Sequence, residues 1–173
     1  MMDHKRSGMQ SKRITLGLFI FYLIALTWII IFKAQLSFES LPHIRNINLI
    51  PFSEPVIING KPYLKEIFLN VLAFIPLGLF IHVLWEQKSL LIRILPIIST
   101  SLLFEAIQYT FAIGASDITD VISNSLGGII GVIIAVVLSK ISSKNWIKII
   151  NILSLIGAVL SSLFFAILIF ANL

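Results

Sequence analysis

Five long apolar stretches constrain this chain more than any other feature of its sequence. A bilayer core about 30 Å thick needs about 20 mostly apolar residues in each helix that crosses it. The stretches are Ile14–Phe32, Tyr63–Trp85, Leu90–Ala112, Ile118–Leu138 and Trp146–Phe170. Charged residues make up only 12% of the chain, about half the share found in soluble domains. We therefore predict an all-α fold, a polytopic membrane bundle of five transmembrane helices in a single membrane domain over residues 1–173.

The composition also excludes several classes of protein and site. The absence of cysteine rules out a disulfide scaffold, thiolate metal sites and a cysteine nucleophile. The net charge of +5 fits the basic loops of a membrane protein, so we expect no nucleic-acid partner. The first apolar run is about 19 residues long, whereas the apolar part of a signal peptide has about 7–15. We therefore expect it to be retained as a helix.

Basic residues predict the orientation of the bundle. They cluster before the first stretch and after the second and fourth, whereas the connection 113–117 has none. Because cytoplasmic loops collect Lys and Arg, this pattern predicts an N-in, C-out topology. Arg45, Lys61 and Lys65 lie on the predicted outer side and weaken the asymmetry. The clustered residues are Lys5, Arg6, Lys12, Arg13, Lys88, Arg93, Lys140, Lys144 and Lys148.

The long outer loop between helices 1 and 2 is the most unusual connection. It has roughly 30 residues, where about 2–8 usually join packed helices. Its four prolines oppose a long helix, and Asn59-Gly60 is a turn signal. We expect the loop to lie in the membrane interface or to fold back over the outer mouth of the bundle. It is either a plain connector or part of a functional site.

Polar side chains interrupt the third stretch near its predicted outer end. A carboxyl group within a membrane span is costly, so Glu105 is expected to face the bundle interior and to mark a site. Ser101 and Gln108 lie one turn before and after Glu105 and share its helical face. The third helix therefore presents a polar stripe in an otherwise apolar sequence.

The fourth stretch carries a second polar group and a stripe of small residues. Asp117, Asp120 and Asn124 share one face, and Asp117 is expected to cap the helix. Small residues at every fourth position let two helix backbones approach closely, which predicts that the fourth helix is central. These residues are Ser123, Gly127, Gly131 and Ala135.

The second stretch combines one polar residue with two residues that affect helix packing. Asn70 lies on the outer side and either joins the site of Glu105 or forms a structural hydrogen bond between helices. Pro76 removes a backbone hydrogen bond and is expected to kink the helix, and Gly78 follows within the same turn. His82, near the inner end, is expected at the membrane interface.

Four short motifs follow one another across the middle of the chain. They are Arg45-Asn46-Ile47-Asn48-Leu49-Ile50-Pro51-Phe52, Asn70-Val71-Leu72-Ala73-Phe74-Ile75-Pro76-Leu77-Gly78, Glu105-Ala106-Ile107-Gln108 and Asp117-Ile118-Thr119-Asp120-Val121-Ile122-Ser123-Asn124-Ser125-Leu126-Gly127-Gly128. In this order they resemble the signature motifs of the VanZ-like family. The resemblance implies a core over about 45–138. A basic tail and first helix over about 1–33 precede this core, and an extra C-terminal helix over about 146–170 follows it.

The resemblance implies an integral protein of the bacterial plasma membrane, in a family named for low-level teicoplanin resistance. It implies no settled biochemical mechanism. The chain departs from the family pattern at Gly114 and Ala115, where many relatives carry an arginine, and at Ser125, which replaces the usual threonine. If that arginine pairs with the carboxylates in relatives, another cation is needed here, and Arg45 is the nearest matched candidate. We expect its guanidinium to lie among Glu105, Asp117 and Asp120.

The matched polar residues fall in the predicted outer half of the bundle. We expect them to form an outward-facing pocket that binds an amphiphilic ligand beside the lipid bilayer. This ligand is a lipid-linked cell-wall precursor or a lipoglycopeptide, and its binding contributes to teicoplanin-type resistance. The pocket residues are Arg45, Asn48, Asn70, Glu105, Gln108, Asp117, Asp120 and Asn124. We expect a binding protein rather than an enzyme, with no cofactor and no metal.

Two alternatives use the same carboxylates differently. In a membrane hydrolase or transferase acting on lipid-linked substrates, the three carboxylates, with His43, would hold a hard cation. The sequence has no metal-specific spacing such as H-E-x-x-H to favour this alternative. In a small proton-coupled transporter, Glu105 would relay protons, but no acidic residue continues the path inward.

Overall fold

The computed structural model describes residues 2–31, 45–53, 57–58, 61–62 and 64–171. Helices dominate this part of the chain, and they are α1 (Met2–Ile31), α2 (Lys65–Leu84), α3 (Leu90–Phe111), α4 (Ile118–Ile141) and α5 (Trp146–Ala171). All five contain a segment long and apolar enough to cross a membrane. The predicted membrane helix bundle is therefore confirmed, whereas its N-in, C-out orientation stays a prediction.

The helix bounds follow the apolar stretches closely, with one clear difference. α1 begins at Met2, well before the predicted start at Ile14, so the basic residues ahead of the first stretch are helical. The membrane-crossing part of α1 is Ser11–Ile31. Lysine and arginine are good helix formers, so α1 can begin well before the apolar run begins.

The small residues of α4 pack against α2, as predicted. A Cβ built at Gly127 would overlap the carbonyl oxygen of Val71, and one built at Gly131 would overlap that of Ile75. Gly78 on α2 is equally restricted, because its Cβ would meet the carbonyl of Gly128. The missing side chains allow the two backbones to approach closely, which is how small residues stabilise helix pairs in a membrane. α4 is therefore a central helix.

Large apolar side chains fill the space beside this close contact. Phe74 is fully buried and packs edge to face against Phe104, with ring centroids 6.2 Å apart. Ile97 on α3 and Val132 on α4 belong to the same core. α1 closes one side of the bundle, where the Tyr22 hydroxyl donates to the Ala73 carbonyl oxygen at 2.7 Å.

Short strands organise the connections at one end of the bundle. β1 (Ile47–Asn48) pairs in parallel with β4 (Ser116–Asp117), and the Ser116 amide donates to the Asn46 carbonyl oxygen at 2.9 Å. β2 (Ile57–Ile58) and β3 (Lys61–Pro62) pair antiparallel. The predicted turn at residues 59 and 60 lies outside the described residues. Residues 46–48 of the loop therefore lie against the α3–α4 connection, which agrees with one of the two arrangements expected for it. We call the end of the bundle that carries these strands the loop end.

Polar contacts at the opposite end join α1 to its neighbours. Thr15 is fully buried, and its hydroxyl donates to Asn151 Oδ1 of α5 at 2.8 Å. Lys12 Nζ lies 3.9 Å from Glu86 Oε2. His82 is buried within the bundle between Arg93, to which it is hydrogen bonded, and Trp146. Its position at the depth of the membrane interface stays a prediction.

Candidate functional site

Asn48 fastens the loop to the start of α4. Its Nδ2 donates to Asp117 Oδ2 at 3.1 Å, across the β1–β4 pair. Its Oδ1 accepts from the Ile50 amide and from the Ser53 hydroxyl, both at 3.1 Å. The Asn48 side chain therefore stabilises the conformation of its own loop and also binds the loop to the bundle. This is a structural role for the asparagine of the first motif.

A tight turn continues this loop toward α4. The Ser53 amide donates to the Ile50 carbonyl oxygen at 3.3 Å, and Pro51 occupies the second position of the turn. Phe52 follows with a φ of 58°, a left-handed conformation that favours glycine over an aromatic residue. Its amide donates to Thr119 Oγ1 at 3.1 Å. This contact with the first turn of α4 helps to hold the strained residue in place.

Glu105 holds the other side of the same junction. Its Oε2 accepts from the Asp117 amide at 3.0 Å, and its backbone carbonyl accepts from the Ser116 hydroxyl at 2.8 Å. Asp117 caps α4, as predicted, because its Oδ1 accepts from the Thr119 amide at 2.7 Å. We call these residues, with Asn48, the docking cluster: Asn48, Glu105, Ser116, Asp117 and Thr119.

A cavity of about 390 Å³ lies between α1, α2, α3 and α4. Six of its ten lining residues are polar or charged, so we call it the polar cavity, although apolar atoms form most of its wall. Asn70 crosses from α2 and donates through Nδ2 to Asp120 Oδ1 at 2.8 Å. The hydrogen bond between helices that the sequence offered as one role for Asn70 is therefore present, and its partner is Asp120. The cavity is lined by Ile29, Ile30, Lys65, Glu66, Leu69, Asn70, Ala73, Gln108, Asp120 and Asn124.

Gln108 and Asn124 bring buried amides to this cavity. Gln108 Nε2 donates to the Ile30 carbonyl oxygen of α1 at 3.0 Å. Asn124 Nδ2 donates to Ser101 Oγ of α3 at 3.0 Å. Neither amide oxygen has a hydrogen-bond partner in the part of the chain that the structure describes. Because buried polar atoms are nearly always paired, two orphan acceptors beside one cavity are unusual.

An apolar groove adjoins the polar cavity. It measures about 380 Å³ and runs between α1, α2 and α5. Ile29 and Ala73 line both spaces, so the groove and the cavity are neighbours that share these two wall residues. The groove is lined by Leu18, Phe21, Tyr22, Ala25, Leu26, Ile29, Leu72, Ala73, Pro76, Leu79, Phe80, Leu153, Ser154, Gly157, Ala158 and Ser161.

Arg45 does not take the position expected from the sequence. Its Nη2 donates to the Thr110 carbonyl oxygen at 3.1 Å, and its guanidinium lies 5.6 Å from the ring centre of Tyr109. Within the described ranges, no ion pair joins Arg45 to Glu105 or Asp117. The expected placement of the guanidinium among the carboxylates was wrong. The unpaired carbonyls at the end of α3 attract a cation, and a backbone amide serves Glu105 instead.

The predicted pocket residues therefore separate into three groups. Asn48, Glu105 and Asp117 belong to the docking cluster, and Arg45 lies exposed beside the end of α3. The remaining four, Asn70, Gln108, Asp120 and Asn124, line the polar cavity. The packing residues Gly78, Ser123, Gly127 and Gly131 are buried, and Pro76 lines the apolar groove.

Sequence reasoning missed Lys65 and Glu66, which begin α2 and line the cavity. Their position four or five residues before Asn70 was an available signal, since one helical turn separates them. His43, named for the hydrolase alternative, lies outside the described residues. In the part of the chain that the structure covers, no group of three His, Asp or Glu side chains is arranged to hold a metal ion.

Comparisons with known proteins agree with the motifs. The VanZ/LLP1 family model matches residues 19–139. Protein VanZ of Enterococcus faecium is 39% identical over 122 residues, which cover 69% of this chain and 72% of the relative. No solved structure matches this chain. The match spans α1 to α4, including the docking cluster and the polar cavity, and excludes α5. The chain belongs to the VanZ-like family of membrane proteins.

Proposed function

We propose that this protein binds an amphiphilic ligand in the bacterial plasma membrane and thereby contributes to teicoplanin-type glycopeptide resistance. The ligand is a lipid-linked cell-wall precursor or a lipoglycopeptide. Its head group occupies the polar cavity and its hydrocarbon tail lies in the apolar groove. The name of the Enterococcus faecium relative and the family membership support the resistance role.

The observation that carries this proposal is that the two spaces are neighbours. A polar cavity of about 390 Å³ and an apolar groove of about 380 Å³ share Ile29 and Ala73 as wall residues. An amphiphile needs such a pair of environments, because its head group loses water on binding and its tail does not tolerate polar walls. Neither space alone would distinguish an amphiphile from a polar solute or from a bulk lipid chain.

The size of the cavity limits what part of the ligand it holds. About 390 Å³ is at the lower end of the range of small-molecule sites. It accommodates one head-group unit, such as a sugar, and excludes a whole glycopeptide. The rest of a large ligand would extend past the docking cluster at the loop end, which faces outward in the predicted N-in orientation.

The walls of the groove suit entry of a tail from the bilayer. Leu72 on α2 is 44% exposed and Leu153 on α5 is 59% exposed, and both line the groove. Exposed apolar side chains on membrane helices face lipid, so a tail reaches the groove without crossing a polar region. The Tyr22 hydroxyl is paired with the Ala73 carbonyl and adds no unpaired polar atom to this wall.

Growth in the presence of teicoplanin tests the resistance role. We expect that expression of the full chain in a susceptible Gram-positive host raises the teicoplanin concentration needed to stop growth. Asn70→Leu should abolish this increase, because it removes the partner of Asp120 from the cavity wall. Ser99→Leu, at an exposed position on α3, is the matched control and should keep it. An unchanged requirement with the wild-type chain present in the membrane would contradict the proposal.

A further inference from the structure

We infer that the polar cavity selects an uncharged head group rich in hydrogen-bond donors, such as a sugar hydroxyl or amide cluster, over an anionic one. This inference rests on the proposed amphiphile site and specifies its chemistry. It follows from which polar atoms the cavity walls leave unpaired and from the charges that surround them.

Gln108 fixes the hydrogen-bonding character of the cavity. Its amide nitrogen lies 3.0 Å from the Ile30 carbonyl oxygen. A carbonyl oxygen can only accept, so the amide cannot be turned the other way without losing this bond. The oxygen Oε1 is therefore the atom left without a partner, on a side chain that is only 4% exposed. Such an atom gains most from a ligand that donates a hydrogen bond.

Two further asparagines lining the cavity also use their nitrogens within the protein. Asn124 donates to Ser101 and keeps an unpartnered Oδ1, on a side chain only 1% exposed. Asn70 donates to Asp120, which leaves its own oxygen as its acceptor group. Each of these three amides therefore uses an N–H of its nitrogen with a protein partner, and two of them, Gln108 and Asn124, keep an oxygen that has no partner among the described residues.

The charged residues that line the cavity also disfavour an anionic head group. Asp120 and Glu66 line it with two carboxylates, and Lys65 is the one basic residue among the described wall residues. A phosphate placed there would face two carboxylates and the unpartnered amide oxygens against a single lysine, and mismatched polar groups of this kind select against a ligand. Of the two proposed ligand classes, the inference disfavours one that must place its phosphate inside the cavity.

Lipid competition tests this selection directly. The full chain is reconstituted in phosphatidylcholine nanodiscs that contain equal amounts of glucosyl diacylglycerol and phosphatidic acid with identical acyl chains. Native mass spectrometry then measures which lipid the released protein retains. We expect a preference of roughly tenfold for the glycolipid, the size expected when one buried acceptor changes from unpaired to paired. Gln108→Leu and, separately, Asn124→Ala should lower the preference, whereas Ser99→Leu should not.

The outcomes separate this inference from the proposal beneath it. Preferential retention of phosphatidic acid, or an unchanged glycolipid preference in both cavity variants, would overturn the inference and leave an amphiphile site in place. Retention of neither lipid above phosphatidylcholine would contradict the proposed function itself. The wild-type preference is informative even if a variant fails to fold.

Discussion

The backbone amide of Asp117 donates to the Glu105 side chain, with 3.0 Å between N and Oε2. This bond joins the end of α3 to the first residue before α4, at the point where Asn48 also reaches Asp117. The membrane-embedded carboxyl group that most suggested chemistry in the sequence therefore orients a backbone segment. This role requires only an oxygen that accepts a hydrogen bond, and the side-chain amide of a glutamine has such an oxygen.

We therefore predict that Glu105→Gln has little effect on stability, because the glutamine oxygen can still accept from Asp117. Glu105→Leu leaves that buried amide unpaired and should cost about 1–3 kcal/mol. Thermal unfolding in detergent compares the two variants. Equal destabilisation by both variants would show that the charge itself is required.

Loss of Asn48 should release the loop from the bundle. Asn48→Ala removes the bond to Asp117 and both contacts within the loop, so the Phe52 and Ser116 amides should exchange hydrogen faster. Hydrogen exchange measured by mass spectrometry reports this change. Asn46→Ala is the matched control, because the one hydrogen bond of the Asn46 side chain to the described residues is from the Ile47 amide of its own segment. If these two amides exchanged as slowly in Asn48→Ala as in the wild type, the result would contradict docking of the loop through Asn48.

Close packing of α2 on α4 predicts a sharp difference between two glycines. Gly127→Leu drives a side chain into the Val71 carbonyl and should cost about 1–3 kcal/mol or more. Gly17→Leu should be nearly neutral, because a Cβ at Gly17 meets no atom within 4 Å. The melting temperatures of the two variants in detergent measure this difference. Similar values for the two variants would contradict a central position for α4.

The observed position of Arg45 changes what its variants should do. A cation over the Tyr109 ring at an exposed site is worth about 0.5–1 kcal/mol, and a lysine keeps both this attraction and one donor for Thr110. Arg45→Lys should therefore retain most of the resistance phenotype, and Arg45→Ala should reduce it. A guanidinium placed among the three carboxylates, as the sequence predicts, would instead make both variants fail, because lysine cannot hold two carboxylate oxygens at once. Loss of the resistance phenotype in Arg45→Lys would instead show that a bidentate guanidinium contact is required.

Cysteine labelling tests the predicted orientation, on which the outward position of the site depends. Ala115→Cys, exposed at the loop end, should react with a membrane-impermeant maleimide in intact cells. Lys144→Cys, exposed between α4 and α5, should react only after the cells are opened. The reverse pattern would place the polar cavity on the cytoplasmic side.

Much of the bundle was predictable because lipid imposes simple rules. Apolar length identified the five helices, and the spacing of Gly127 and Gly131 identified the central packing face. The cost of embedded polar groups identified the cavity residues Gln108 and Asn124. These features depend on single helices or on contacts between neighbouring turns, which a sequence displays directly.

The division of the site was not predictable from the same rules. The contact of Asn48 with Asp117 bridges 69 positions, and a two-residue strand pair sets its register. An irregular loop has no periodic sequence pattern from which the register of this strand pair could be predicted. The error at Arg45 has the same origin, since charge complementarity favoured the carboxylates while the loop geometry placed the guanidinium at the end of α3. The position of the cavity beside the groove depends on the packing of several helices at once.

Photo-crosslinking tests the central claim, that one ligand occupies both spaces, most directly. The probe is a lipoglycopeptide with a diazirine in its acyl chain, and adducts on the purified full chain are mapped by mass spectrometry. We predict adducts on groove residues such as Phe21 and Leu72, which Gly157→Leu abolishes. A Cβ at Gly157 meets no atom within 4 Å, so this variant fills the groove without disturbing the bundle, and Gly17→Leu is its control. Adducts spread over the lipid-facing surfaces of all helices and unchanged by Gly157→Leu would contradict the account.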